Sequence, residues 1–157
     1  MTSFFVGLIS DTHGLLRPEA LTALEDSEAI LHAGDVGDPA ILDQLNSIAP
    51  IYAVRGNVDT QPWACSLRSA ETVRLAATSL YLLHSLKELD LNPKSNGIQI
   101  VVFGHTHQPT SYWRDGILYL NPGSAGPRRF SLPTTVARLN LLETPWHPEF
   151  LDLSPKT

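Results

Sequence analysis

The segment Ile100–Pro109, IVVFGHTHQP, leads from an apolar run into a glycine and two histidines. Four consecutive apolar residues, 100–103, are typical of a strand that is buried on both faces of a parallel sheet. His105 and His107 are two residues apart, so on an extended backbone their side chains would point the same way. We therefore interpret the segment as a buried strand that presents two imidazoles at its carboxyl end.

The same pattern recurs at four other predicted strands, each of which ends in a short motif containing Asp, His or Asn. In chain order the pairs are FFVGLIS (4–10) before Asp11-Thr12-His13-Gly14, AILHA (29–33) before Gly34-Asp35, IYAVR (51–55) before Gly56-Asn57, and LYLL (80–83) before His84. Ligands of α/β sheets bind outside the carboxyl ends of the strands. Five such strand ends in one short chain therefore predict a single shared site at one sheet edge.

The first third of the chain alternates predicted strands with predicted helices. A proline opens each helix: Pro18–Asp26 is the first, and the second begins at the Asp38-Pro39 pair and extends to about Ile48. This β-α-β-α-β order is the pattern of a parallel sheet.

The rest of the chain is predicted to be rich in strands. We expect a helical turn near residues 92–97 and a hairpin turn at Asp115-Gly116. The expected strands are 72–76, 79–84, 98–103, 111–113, 117–121, 134–140 and 146–153. An α/β half followed by a β-rich half predicts two facing sheets with helices outside.

Composition narrows the class of protein. The 157 residues are 43% apolar and 17% charged, which predicts one soluble domain over residues 1–157. The net charge of -5 disfavours broad binding to nucleic acid. Cys65 is the only cysteine, so no intramolecular disulfide or thiolate cluster can form. The apolar run Phe4–Ile9 is too short for a signal sequence or a membrane span, so we expect a cytoplasmic protein with no membrane partner.

The polar residues at the strand ends have the chemistry of metal ligands. Imidazole and carboxylate without thiolate suit Mn, Fe, Zn or Ni better than a soft metal. Seven side chains are too many for one ion that keeps an open position, but they suit two ions. The candidates are Asp11, His13, Asp35, Asn57, His84, His105 and His107. Two divalent ions about 3.5–4 Å apart can activate a water and clamp phosphoryl oxygens for in-line displacement.

The ordered motifs D-x-H, G-D, G-N, H and G-H-x-H resemble those of the calcineurin-like metallophosphoesterase superfamily. The N-P-G-S segment at 121–124 resembles its small phosphodiesterase branch, found in bacteria and archaea. The resemblance implies an α/β fold, a four-layer α/β/β/α sandwich of two facing mixed sheets with outer helices. It also implies a hydrolase that cleaves phosphodiesters, with monoesters as further substrates, by attack of a metal-bound hydroxide. Its substrates would be small phosphate esters, and relatives often form homodimers or higher homo-oligomers.

The resemblance also implies which residues hold the two divalent ions. Asp11, His13, Asp35 and His107 would hold one ion. Asp35, Asn57, His84 and His105 would hold the other, with Asp35 as the bridge. We expect Mn²⁺ (manganese) first, with Ni²⁺, Fe²⁺, Zn²⁺ and Mg²⁺ as alternatives. Asn57 and His105 are expected to act in catalysis.

Several assignments stay open at this stage. Many related phosphatases carry a leaving-group histidine where this chain has Val58, so Asp59 is a candidate general acid, with a solvated turn residue as the alternative. Arg55 and Asn57 are candidate substrate contacts, although Arg55 could equally form a surface ion pair. His32 either orients Asp35 or is a half-buried strand histidine. This chain has Ser85 after His84, where many relatives have a glycine after the corresponding histidine.

Two other functions are compatible with the motifs. A catalytically inactive scaffold with this fold is the first, since the superfamily includes a retromer subunit with a damaged metal site. That protein departs from the pattern at ligand positions, whereas this chain does not. A nuclease is the second, and the acidic charge and the lack of an evident basic channel disfavour it.

Overall fold

Ten strands form two mixed five-stranded sheets in the computed structural model, which describes residues 2–154. The strands are β1 (Phe5–Ile9), β2 (Ala29–His32), β3 (Ile51–Ala53), β4 (Ala70–Leu75), β5 (Thr78–Leu83), β6 (Ile100–Val102), β7 (Thr110–Arg114), β8 (Ile117–Asn121), β9 (Thr135–Asn140) and β10 (Glu149–Asp152). The helices are α1 (Pro18–Leu24) and α2 (Pro39–Asn46), with 3₁₀ turns at Pro62–Ser66, Leu86–Glu88 and Lys94–Asn96. Of the predicted domain 1–157, residues 1 and 155–157 lie outside the described residues.

Each sheet contains three neighbouring parallel strands. The first sheet has the order β10-β9-β1-β2-β3, in which β1, β2 and β3 are parallel. The second has the order β4-β5-β6-β8-β7, in which β5, β6 and β8 are parallel and both edge strands run antiparallel to their neighbours. The loops after β1, β2, β5 and β6 consequently leave the carboxyl ends of neighbouring parallel strands.

Alternating apolar residues hold the two sheets together. Val6 and Leu8 of β1 share one core with Leu80 and Leu82 of β5, and all four are fully buried. The opposite face of the first sheet packs against α1 and α2. Burial of one such leucine contributes about 1.5–3 kcal/mol to folding. The core therefore fixes the sheets face to face, with their loops at a common edge.

The outer face of the second sheet has a thinner cover than the first. Its aromatic residues, which include Tyr81 and Phe103, pack against Leu86, Leu89 and Leu91. Both α-helices within residues 2–154 pack on the first sheet instead. The predicted two-sheet α/β sandwich is confirmed, but the expected fourth layer consists of a segment with 3₁₀ turns and no α-helix. Neither described helix combines the length and the apolarity that a membrane crossing needs.

Most predicted elements are present with shorter bounds. The two helices end at Leu24 and Asn46, about two residues before their predicted ends. Asp38 caps α2, because its side chain accepts a hydrogen bond from the N–H of Ala40. Asp115 and Gly116 form the predicted hairpin turn, and both have positive φ, 53° and 78°.

Candidate metal centre

Four loops at the carboxyl ends of parallel strands gather six of the seven predicted ligands. β1 leads to Asp11 and His13, β2 to Asp35, β5 to His84, and β6 to His105 and His107. All of them except His13 and His105 are buried. The structure therefore brings four of the five predicted strand ends together.

The two carboxylates lie between the imidazoles. Oδ2 of Asp35 is 3.2 Å from Nε2 of His84 and 3.6 Å from Nε2 of His13. Oδ1 of Asp11 is 3.4 Å from Nε2 of His107 and 3.8 Å from Nε2 of His13. Each carboxylate oxygen thus faces more than one histidine, which is the geometry a shared ligand needs.

The histidines form two pairs, and each pair combines residues from distant parts of the chain. The rings of His13 and His107 have centroids 5.3 Å apart. The rings of His84 and His105 have centroids 5.2 Å apart, and Nδ1 of His105 lies 3.3 Å from Nε2 of His84. Two imidazole pairs with two carboxylates between them can serve two separate ions.

Each carboxylate commits one oxygen to the protein and leaves the other for the site. Oδ2 of Asp11 accepts hydrogen bonds from the Ser10 hydroxyl at 2.7 Å and from the His105 N–H at 3.1 Å. Oδ1 of Asp35 accepts the N–H of Val58 at 3.0 Å. Such contacts orient a ligating oxygen and are a common support of metal sites.

Unpartnered buried atoms indicate that the residues fit a bound cation. Oδ1 of Asp11 and Nε2 of His13 are buried and have no hydrogen-bond partner. Buried polar atoms are normally paired, so these two call for a positive ligand. His84 donates Nδ1–H to the carbonyl of Ala33 at 2.8 Å, which directs its Nε2 toward the site.

Two overlapping sets of side chains have their ligand atoms within 4.8 Å of one another. The sets are Asp11, His13 and His107, and Asp11, Asp35 and His84. Oxygen and imidazole donors without thiolate suit divalent ions of intermediate hardness. The candidate site therefore fits divalent metal ions by donor type and by geometry.

The backbone of the site lies in a conformation that L-residues rarely adopt. Nine non-glycine residues within 2–154 have positive φ, and five are predicted ligands: Asp11, His13, Asp35, His105 and His107, at 46–75°. Such residues cost about 1–3 kcal/mol each and concentrate at functional sites. The expected extended backbone at His105 and His107 is wrong, because both lie beyond the end of β6 in left-handed turns.

Two motif glycines leave room for the carboxylates. A Cβ at Gly104 would overlap Oγ of Ser10 and lie 2.7 Å from Oδ2 of Asp11. A Cβ at Gly56 would overlap Oδ1 of Asp35. The glycines of G-H-x-H and G-N are therefore required by the close approach of the loops.

Supporting residues outside the predicted ligand set also hold the loops. The side-chain amide of Asn121 donates to the carbonyl of Gly104 at 3.1 Å and to the hydroxyl of Thr106 at 3.0 Å. The hydroxyl of Ser124 donates to the carbonyl of Asp11 at 3.1 Å. The N-P-G-S segment, noticed in the sequence without a role, thus braces two ligand loops.

His32 is fully buried and connects the first two ligand loops. Its Nδ1 accepts the N–H of Gly34 at 3.1 Å, and its Nε2 lies 3.0 Å from Oγ of Thr12. Because that hydroxyl donates its own hydrogen to the carbonyl of Val36, it accepts from Nε2–H. His32 is therefore neutral and protonated at Nε2. Its hydrogen bonds hold Thr12 and Gly34, which are sequence neighbours of Asp11 and Asp35, rather than the Asp35 side chain itself.

The remaining predicted residues have different surroundings. Asn57 is exposed. Its neighbour in the same loop, Val58, donates its N–H to Asp35. The guanidinium of Arg55 donates to the carbonyl of Leu67 at 2.8 Å. Asp59 is buried and accepts the N–H groups of Val36, Gly37 and Gly56 at 2.9–3.1 Å. These contacts favour a loop-clamping role for Asp59 over that of a general acid or a solvated turn residue.

The charges of the cluster shift its pKa values. Burial raises the pKa of Asp11, but contacts with His107, His13 and Ser10 outweigh it and hold the pKa well below its usual range. Burial also raises the pKa of Asp35, while His84 and the Val58 N–H bring it below the usual value. Burial lowers the pKa of His84, but Asp35 and Asp11 raise it above its usual value. Both aspartates are therefore ionised at neutral pH.

Comparison with known proteins agrees with this fold and cluster. Residues 4–144 match the family model of the calcineurin-like phosphoesterase superfamily domain. A probable metallophosphoesterase from Methanothermobacter thermautotrophicus is 34% identical over 142 residues, with 83% of each chain covered. Phosphodiesterase YfcE of Escherichia coli is 28% identical over 161 residues, covering 83% of this chain and 84% of that protein.

A solved structure with the same fold is Vacuolar Protein Sorting 29 from Cryptosporidium parvum. Its TM-score is 0.76 at 19% identity, and the match covers 97% of this chain and 100% of that chain. This likeness concerns the fold alone.

A two-sheet α/β sandwich with buried Asp and His side chains at one edge defines a candidate metallohydrolase. The family match makes the class specific: the chain belongs to the calcineurin-like phosphoesterase superfamily. The resemblance inferred from the ordered motifs is thereby confirmed.

Proposed function

We propose that this protein is a dinuclear-metal phosphoesterase that hydrolyses small phosphodiesters, with phosphomonoesters as possible further substrates. The observation that carries the proposal is the free oxygen of each buried carboxylate, Oδ2 of Asp35 and Oδ1 of Asp11, which lies between imidazoles from different loops. The proposed enzyme acts as a single domain.

The ligand assignment follows the two imidazole pairs. We propose that His13 and His107 serve one ion and that His84 and His105 serve the other. Asp11 would complete the first set and Asn57 the second, and Asp35 would be shared by both. When bound, two divalent ions would activate a water and neutralise charge on the phosphoryl oxygens. The donor set suits Mn²⁺ first, with Ni²⁺, Fe²⁺, Zn²⁺ or Mg²⁺ as alternatives.

The protein's own residues position the ester. His105 and Asn57 are exposed, so among the proposed ligands they are the two that can also face substrate. We propose that Asn57 contacts a phosphoryl oxygen and that the His105 imidazole borders the leaving group. Arg55 can contact substrate only by leaving the Leu67 carbonyl.

Diester hydrolysis has two supports. Two divalent ions bring +4, and Asp11 and Asp35 return -2, so a hydroxide and a monoanionic diester bring the site to neutrality, while a dianionic monoester overshoots. The relative YfcE carries the name phosphodiesterase.

A scaffold without catalysis is the alternative, and the fold shared with Vacuolar Protein Sorting 29 is compatible with it. The complete Asp and His set favours the enzyme. We also propose a cytoplasmic location and a homodimer or higher homo-oligomer.

The test is hydrolysis of bis(p-nitrophenyl) phosphate and of p-nitrophenyl phosphate after removal of metal and reloading with Mn²⁺, Ni²⁺, Zn²⁺ or Mg²⁺. Asp35→Asn keeps an oxygen for the Val58 N–H but removes the charge, and we expect at least about a 100-fold loss of turnover. Asp115→Asn is the matched control, since Asp115 also has positive φ but lies in an exposed hairpin turn. Absence of turnover with every metal would favour the scaffold.

A further inference from the structure

A small cavity of about 160 Å³ opens beside the candidate metal centre. Its wall comes from two segments, Ser85–Lys87 directly after β5 and Phe103–Thr106 directly after β6. His105 belongs to this wall and is also paired with His84 in the cluster. A group held in the cavity would therefore be separated from the proposed reaction centre by the His105 imidazole.

The lining of the cavity is mainly apolar. Phe103 is buried, Leu86 is half-buried, and both belong to the core cluster on the outer face of the second sheet. A cavity of about 150 Å³ lined by Leu, Ile and Phe is large enough to bind benzene. The cavity here has the size of one aromatic ring.

The lining also includes one charged residue. Lys87 is exposed and is the one cation among the lining residues. Small-molecule sites commonly combine an apolar wall with a few polar groups that fix orientation. An apolar, ring-sized space beside the proposed metal centre suits an aromatic substituent attached to a phosphoryl group.

We propose that this cavity is a specificity site that holds one aromatic, ring-sized substituent of the phosphate ester. The inference rests on the proposed function, because it places the phosphoryl group at the metal centre. It selects aryl or nucleobase-bearing esters over short alkyl esters. Leu86 determines the size of the accepted group, since its side chain forms part of the wall and is not a predicted metal ligand.

The experiment compares the binding of phenylphosphonate and methylphosphonate to the Mn²⁺-loaded protein by calorimetry. Both probes carry the same phosphonate group, and neither can be hydrolysed. We expect phenylphosphonate to bind about tenfold more tightly, because its ring leaves water. Leu86→Trp fills the cavity and should abolish this preference, so that the two probes bind with similar affinity.

Leu91→Trp is the matched control. Leu91 packs against the same outer-face cluster but does not line the cavity, so the preference should persist in this variant. Thermal melts of both variants identify any loss of folding, and the wild-type preference requires no variant.

Three results would overturn the inference. Equal wild-type affinity for the two probes would overturn the cavity assignment alone, and so would an unchanged preference in folded Leu86→Trp protein. Failure of both probes to bind, together with absence of bis(p-nitrophenyl) phosphate hydrolysis, would overturn the proposed function as well.

Discussion

Oγ of Ser10 lies 2.7 Å from Oδ2 of Asp11, and both residues are fully buried. This hydroxyl is one of two donors to the oxygen that does not face the imidazoles, the other being the N–H of His105. The hydrogen bond therefore fixes which oxygen of Asp11 is free to bind a cation.

Ser10→Ala should weaken metal binding without removing a ligand. The carboxylate of Asp11 would lose a charge-assisted hydrogen bond, and we expect a 10- to 100-fold lower Mn²⁺ affinity, about the range for loss of a supporting contact. Titration of the metal-free protein with Mn²⁺ measures it. Ser66→Ala is the control, since the exposed Ser66 hydroxyl donates only to the carbonyl of Trp63. Equal affinities in the two variants would contradict the prediction.

Asn121→Asp tests the brace between β8 and the turn after β6. The substitution keeps the shape but removes the amide donors to Gly104 and Thr106, and it places a carboxylate against a carbonyl oxygen. We expect destabilisation by about 1–3 kcal/mol, the cost of a buried unsatisfied group, and a weaker metal site. Chemical denaturation and Mn²⁺ titration measure the two effects.

Asn140→Asp is the matched control for this brace. Asn140 also ends a strand, but its Oδ1 accepts hydrogen bonds from the N–H groups of Phe4 and Leu142. A carboxylate preserves that acceptor, so stability and metal affinity should stay near those of the wild type. Similar losses in both Asp variants would show that the brace has no special role.

Gly104→Ala should damage the site through a steric overlap. The new methyl group would displace Ser10 or Asp11, because their oxygens occupy its position. Gly116→Ala provides the contrast: its φ of 78° strains an alanine, but no atom lies within 4 Å. We expect Gly116→Ala to lose about 1 kcal/mol of stability with unchanged Mn²⁺ affinity, and Gly104→Ala to lose metal binding. Metal affinity retained in folded Gly104→Ala protein would disprove the close-approach argument.

His32 should make the metal-free protein less stable as the pH falls. The pKa of His32 is lowered from 6.5 to about 4, mainly by burial. The charges of Asp11, Asp59 and Asp35 oppose this shift in part, and His84 adds to it. Above pH 6.5 the residue is neutral in both the folded and the unfolded state. As the pH falls from 6.5 to about 4, the unfolded chain takes up a proton that the folded state does not, which costs up to about 3 kcal/mol.

His32→Asn isolates this contribution. An asparagine oxygen can accept the Gly34 N–H but does not titrate, so the variant should lose less stability between pH 6.5 and 4 than the wild type. Urea denaturation of both proteins at several pH values, with chelator present, gives the two slopes. Parallel slopes would show that His32 is not the titrating group.

The local sequence was enough to predict most of the strands and helices and to name the candidate ligands. Runs such as FFVGLIS and IQIVVF have the composition of buried strands, and β1 and β6 lie inside them. The ligand motifs follow the strands directly, so their position at the carboxyl ends could be inferred from the rule for parallel strands. The packing of the two sheets against each other then brings those ends together. Residues such as Asp59 and His32 could be named but not assigned, because their partners lie in other loops.

What the sequence by itself determined is the two-sheet α/β class and the strand ends that carry the candidate ligands, since both depend on local patterns. The pairing of His105 with His84, and of its near neighbour His107 with His13, was implied by the family resemblance and arises physically only in the tertiary structure. Only the tertiary structure decided that Ser10, Asn121 and His32 support the site, and that a ring-sized cavity adjoins it. The physical reason is that these contacts join loops far apart in the chain, where left-handed turns and close packing set the direction of each side chain.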